Sequence, residues 1–314
     1  MRRKLTNYIA LTLKGMGMGA ADVVPGVSGG TIAFITDIYE ELVDSIKSIN
    51  AGALKCLFNH GIGAFWKQIN GNFLSAVVLG ILISIFSLAR LLEHLLDTYP
   101  ILVWSFFFGL IIASAIYVAK KITHWNIKKA AGLIVGIAVA YMITELTPAQ
   151  TPEASWFIFL SGALAICAMI LPGISGAFIL LLLGKYQFAI EAVGNLNISV
   201  LAILIIGALV GIISFSNLLS WLLKKYHDLT IAVLAGFMVG ALNKIWPWKQ
   251  TVSSFVNRHG EIQPLIQKNV LPSDFAVHTG KDPLLLQALI LAAVGFALIF
   301  IIEGLTHSKP KSET

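Results

Sequence analysis

Two stretches of this sequence place the same residue types in the same order: Pro25-Gly26-Val27-Ser28-Gly29-Gly30-Thr31 and Pro172-Gly173-Ile174-Ser175-Gly176-Ala177-Phe178. In each, Pro and Gly interrupt an apolar run, because proline lacks an amide donor and glycine has high backbone entropy to lose in a helix. The Ser that follows stands where an N-cap would, beside small residues that leave backbone N–H groups uncovered. A helix N-terminus with free N–H groups attracts anions. The candidate phosphate-binding residues are therefore Pro25, Gly26, Ser28, Gly29, Gly30 and Thr31 in the first copy, and Pro172, Gly173, Ser175, Gly176 and Ala177 in the second. A helix kink or a close-packing spot explains either copy alone. Two copies, each ending at a Ser, favour a site.

Ionisable residues in apolar surroundings extend the list. Asp22 lies three residues before Pro25, and Asp37, Glu40 and Glu41 follow the first break. Carboxylates beside an anion site repel the ligand unless they are protonated or hold a cation, so this group suits coupling to H⁺ or Na⁺, or gating. For Glu40 and Glu41 the competing reading is an exposed helix end. Lys185 either counters a phosphate charge or snorkels to the interface. The seven His show no metal-ligand spacing, and two Cys, at 56 and 167, make no disulfide framework. Neither a nucleotide-binding loop nor a nucleophile elbow is present, so no metal and no cofactor is expected.

The elements that must position these groups are hydrophobic. Of 314 residues 57% are apolar and only 12% charged, and the mean hydropathy is +0.83. Spans of about 20 apolar residues cross a bilayer, and the pattern predicts six: 72–92, 100–119 and 128–146, then 198–223, 229–246 and 284–304. Each trio follows a stretch broken by one of the motifs, 5–50 and 156–193, which reads as a re-entrant helical hairpin. Residues 51–70 read as an amphipathic surface segment, and 248–283 as a polar loop without a functional signal.

Val24–Ser28 repeats as Leu171–Ser175 at an offset of 147, Gly80 is echoed by Gly211, and Gly109 by Gly236. The expected fold is thus an all-α polytopic membrane protein of two repeats, 1–147 and 154–304. Three spans per half is an odd number, so the second repeat enters the membrane inverted. Basic residues fall mostly on one side under this arrangement, which puts both termini in the cytoplasm. The net charge of +6 therefore follows the positive-inside rule rather than marking a nucleic-acid partner.

The run Gly17-Met18-Gly19-Ala20-Ala21-Asp22-Val23-Val24-Pro25-Gly26-Val27-Ser28-Gly29-Gly30-Thr31, with Leu171-Pro172-Gly173-Ile174-Ser175-Gly176, resembles the bacterial polyprenyl-phosphate transporter family over nearly the whole chain. The resemblance implies a flippase of the bacterial cytoplasmic membrane that returns undecaprenyl phosphate from the outer to the cytoplasmic leaflet for cell-envelope synthesis. The motifs are also similar to the Pro-Gly-x-Ser-Arg-Ser of integral-membrane undecaprenyl-pyrophosphate phosphatases. Gly29 and Gly176 stand here in place of that arginine, and phosphoryl transfer needs such a cation. A non-enzymatic transporter is the expectation. A pyrophosphatase, or an ion-coupled carrier of a small soluble anion, is the alternative.

Overall fold

The computed structural model describes residues 5–24, 26–256 and 262–307. Pro25 of the first motif, and Arg2, Arg3, Lys4, Arg258, Lys309 and Lys311 of the charge argument, lie outside them. The protein is a polytopic helical membrane protein. Among the described residues five helices are long and apolar enough to cross a bilayer, Gly71–Thr98 (α5), Pro100–Lys120 (α6), Ile127–Glu145 (α7), Ile198–Lys225 (α11) and Leu285–His307 (α14) over its first 20 residues.

The expected span at 229–246 is not among them. Its helix, α12 (His227–Ala241), has 15 residues, about 22 Å at 1.5 Å per residue, and a turn follows it before Pro247. A helix this short can stand at membrane depth because α6, α7 and α11 pack along it and bury Ile231, Leu234, Ala235 and Met238.

The two hairpins also depart from expectation, because each returning arm is broken again. The first consists of α1 (Leu5–Val23), α2 (Gly29–Ile35) and α3 (Tyr39–Lys47), and the second of α8 (Ser155–Ile170), α9 (Gly176–Leu182) and α10 (Tyr186–Gly194). The breaks fall at Asp37 (φ 57°) and Gly184 (φ 63°), and α9 and α10 meet at 106°. Both residues sit in the left-handed region, which glycine enters freely and Asp tolerates better than most side chains.

Between the first hairpin and α5 lies α4 (Ala51–Gln68), capped by Asn50 and kinked at Gly61. Its Leu54, Phe58 and Ile62 are exposed. The segment read as a polar loop contains an antiparallel hairpin, β1 (Lys249–Val256) and β2 (Ile262–Asn269), and a short helix, α13 (Pro272–Thr279). This β-hairpin is the one departure from an all-α fold among the described residues.

Glycines set the helix crossings. A Cβ on Gly80 would stand 2.0 Å from the Thr12 carbonyl, and one on Gly207 would stand 2.1 Å from the Phe159 carbonyl. Thr12 and Phe159 are 147 apart, so the structure pairs Gly80 with Gly207 and not with Gly211. The α1–α5 crossing is thereby repeated by α8–α11. Gly109 abuts the Ala292 carbonyl and Gly295 the Phe106 carbonyl, while Gly236 abuts that of Leu133 and Gly136 that of Val233. The α6–α14 crossing thus repeats in α12–α7, with each half's last helix packed on the other half. Close approach of this kind is what small residues permit in membrane helices.

Candidate functional site

The two breaks meet at the centre of the molecule. Gly26 (φ 87°) and Gly173 (φ 91°) turn the chain in a region that side chains resist. Ser28 then caps α2, its Oγ accepting from Gly30 N at 3.1 Å. The same hydroxyl shares its one proton between the carbonyls of Met169 and Leu171, each at 3.0 Å. Gly173 N donates to Thr31 Oγ1 at 3.2 Å, and Tyr39 OH to the Ile170 carbonyl at 3.2 Å. Gly30 is a glycine because a Cβ there would stand 2.4 Å from that Ile170 carbonyl. The first break therefore satisfies the carbonyls that α8 leaves unpaired at its end.

Asp22 completes the first break. Its Oδ1 accepts from Gly29 N at 2.7 Å, so a carboxylate of the chain itself occupies the anion position at the start of α2. The counterpart of Asp22 in the repeat is Met169, which accepts nothing comparable. Ser175 is buried and makes no side-chain cap bond to α9. The two breaks thus share a backbone path but differ in chemistry: the first is internally satisfied, and the second is bare.

The structure separates the other candidates from this centre. Asp37 pairs with Lys121 and accepts from Tyr117 OH at 3.1 Å. Glu40 meets His227 Nε2 at 3.0 Å, and His227 Nδ1 lies 3.3 Å from Asp228. Lys129 closes this chain on Asp228 at 2.6 Å. Glu41 accepts from Asn70 Nδ2 at 2.9 Å. Asp22, by contrast, is bonded to Gly29 N at the first break. The other three tie α3 to α6, α12 and the start of α5, and Asp44 adds α11 through Lys224 at 2.8 Å.

Lys185 is not at the two Pro-Gly breaks either. It is buried, donating to the Thr151 carbonyl at 2.9 Å, with its ammonium 5.7 Å from the Phe157 ring centre. Phe157 lies near the start of α8, about 20 Å along that helix from Leu171. The lysine satisfies the linker before α8, which a sequence pattern does not reveal.

Two cations outside the candidate list stand at or next to the centre: Lys244, from the end of the expected span 229–246, and Lys249, from the segment read as a polar loop. The aliphatic stem of Lys244 lies against Gly26, and its ammonium stands 4.4 Å from the Phe178 ring centre in α9. Lys249 Nζ donates to the Lys244 carbonyl at 2.6 Å and sits 4.2 Å from the Trp104 ring centre. The available signal was Lys244-Ile245-Trp246-Pro247-Trp248-Lys249, two cations bracketing an aromatic turn at a span's end.

Residues 18–263 match a family described as undecaprenyl phosphate translocase-like. The chain belongs to that family. The polyprenyl-phosphate transporter of Vibrio cholerae is 47% identical over 303 residues, covering 96% of this chain and 98% of that one. The polyprenyl-phosphate transporter of Staphylococcus aureus is 36% identical over 253 residues, 75% of this chain and 85% of that one. No solved structure gives a significant match.

Proposed function

We propose that this protein is a transporter that moves undecaprenyl phosphate from the outer to the cytoplasmic leaflet of a bacterial cytoplasmic membrane, holding the phosphate head between the two breaks. Family membership supports the substrate class. The observation that carries the site is the meeting of two broken helices, one sealed by its own carboxylate and serine, the other bare. Asp22 is the residue through which H⁺ or Na⁺ is coupled: neutralising it frees Gly29 N, which it now holds, for a phosphate. The isoprenoid tail stays in lipid and passes through a lateral opening.

In this reading 1–147 and 154–304 are inverted repeats with both termini in the cytoplasm, and access alternates between the sides of their hairpins. The halves pack unequally. Tyr39 of α3 is 2% exposed, while its counterpart Tyr186 of α10 is 37% exposed. Among the described residues α3 packs on α11 of the other half, and α10 finds no comparable face on α5. In an inverted repeat such inequality distinguishes the access states, and this one is closed at α3 and open at α10, the outer side.

The reading is binding without hydrolysis, because neither motif carries an arginine and neither glycine has room for one. A Cβ on Gly29 would stand 2.5 Å from Asp22 Oδ2, and one on Gly176 would stand 2.6 Å from the Ala165 carbonyl. Neither position holds a longer side chain without displacing its neighbour. The test is purified protein in liposomes, with leaflet-to-leaflet movement of undecaprenyl phosphate followed beside free-phosphate release from undecaprenyl pyrophosphate. Movement without release is expected. Phosphate release would mean a pyrophosphatase, and competition by anions without a lipid tail would mean a soluble-anion carrier.

A further inference from the structure

The cations that a phosphate monoester requires are absent from both motifs; the turn after α12 brings Lys244 to them, and the start of β1 sets Lys249 beside it. Lys244 lies between the breaks, its stem on Gly26 of the first and its ammonium over Phe178, three residues past Ser175 of the second. Lys249 is bonded to the Lys244 backbone and rests on Trp104. Among the described residues neither lysine is in an ion pair with a carboxylate, whereas Lys121, Lys129 and Lys224 each are. Glu145 acts on Lys244 electrostatically, but its carboxylate is held by Asn243 Nδ2 at 2.6 Å. Partly buried ammonium groups without an anion are costly, and a bound anion removes that penalty.

The surroundings are apolar in a way that suits a lipid and not a soluble ion. Trp104 lies one turn before Phe108 on α6, Phe108 packs on Trp246 at 5.5 Å, and Trp246 on Trp248 at 5.5 Å. Phe108, Trp246 and Trp248 line an apolar groove of about 410 Å³ over the α6–α14 crossing, together with Ala292 and Phe296. Lys249 lies over Trp104, one turn from Phe108 of this groove, and an ammonium beside an apolar groove matches a phosphate joined to a hydrocarbon chain.

We infer that Lys244 and Lys249 are the cations that capture the phosphate head, and that the adjoining cleft takes the first isoprenoid units. This rests on the function proposed above and adds the residues that select a lipid phosphate on the open side. Trp104 and Lys121 are at opposite ends of α6, about 25 Å apart, so the pair stands far from the ionic ties that close the α3 side.

The experiment measures binding of farnesyl phosphate, inorganic phosphate and farnesol to the full chain in nanodiscs, and movement of undecaprenyl phosphate in liposomes. K244Q and K249Q are each expected to weaken farnesyl phosphate binding at least tenfold and to slow movement, with K244R recovering part of it. K281Q, an exposed lysine of the same loop, is the control that should bind as wild type. Inorganic phosphate should bind far more weakly than farnesyl phosphate, and farnesol should not depend on the lysines. Equal binding of inorganic phosphate would overturn the lipid-selective cleft. Wild-type binding and movement in correctly inserted K244Q and K249Q would overturn this inference alone. A wild-type protein that neither binds nor moves the lipid would overturn the function as well.

Discussion

Ser28 concentrates in one hydroxyl three contacts that sequence reasoning reserved for substrate: the cap on Gly30 and the carbonyls of Met169 and Leu171. Replacing it with Ala removes the cap and leaves buried carbonyls unpaired, which costs about 1–3 kcal/mol. S28A should lower the thermal unfolding midpoint in detergent as well as the transport rate. S175A removes no cap bond, so it should reduce transport with little change in that midpoint; equal destabilisation by both would contradict the asymmetry. D22N keeps the shape but not the charge on Gly29, and should leave insertion intact while abolishing the dependence of transport on the coupling ion. The measurement is undecaprenyl phosphate movement with and without a pH or Na⁺ gradient.

At the scale of elements, the crossings depend on glycines whose missing side chains are replaced by a neighbouring backbone. Gly80→Ala would force a methyl to 2.0 Å from the Thr12 carbonyl, so α1 and α5 must separate, at about 1–3 kcal/mol for such overpacking. Gly63 of α4 has nothing within 4 Å of its Cβ position, and Gly63→Ala should raise stability by about 0.5–1 kcal/mol through helix propensity alone. Unfolding of the two variants side by side checks both signs. A comparable loss in both would mean that α4 is packed against something.

Across the whole molecule, the ties from α3 to α11 and α12 join the two halves, and one of them titrates. Burial works against a charge on His227, but Glu40 and Asp228 outweigh it and raise its pKa above the usual 6.5. The groups facing it are Glu40 from α3, Asp228 from its own helix, and Lys129 from α7 through Asp228. Since the folded value is raised, the tie is fully present below about 6.5 and is lost as pH rises through the folded value. The α3 side should therefore open more readily at alkaline pH. Labelling of a cysteine introduced at Ser45, which is buried, should quicken as pH rises, and H227Q should label fast at every pH. A pH-independent rate in the unaltered tie would remove His227 from this role.

The sequence by itself determined that this is a membrane protein, where its two Pro-Gly breaks lie, and that their motifs recur 147 residues apart, because hydropathy, proline and that offset are properties of the chain read locally. It reached the long spans at 72–92, 100–119, 128–146, 198–223 and 284–304 for the same reason. It could not show that α12 stops after 15 residues, since a helix walled by neighbours has no need to match the bilayer. It could not show that Gly80 answers to Gly207, because only the carbonyl each one meets fixes the pairing. Nor could it show that Lys185 serves a linker while Lys244 reaches the breaks. A lysine's reach is decided by the fold that surrounds its stem, and here a turn after a short helix delivers to the centre a cation that the pattern had left inside an expected span.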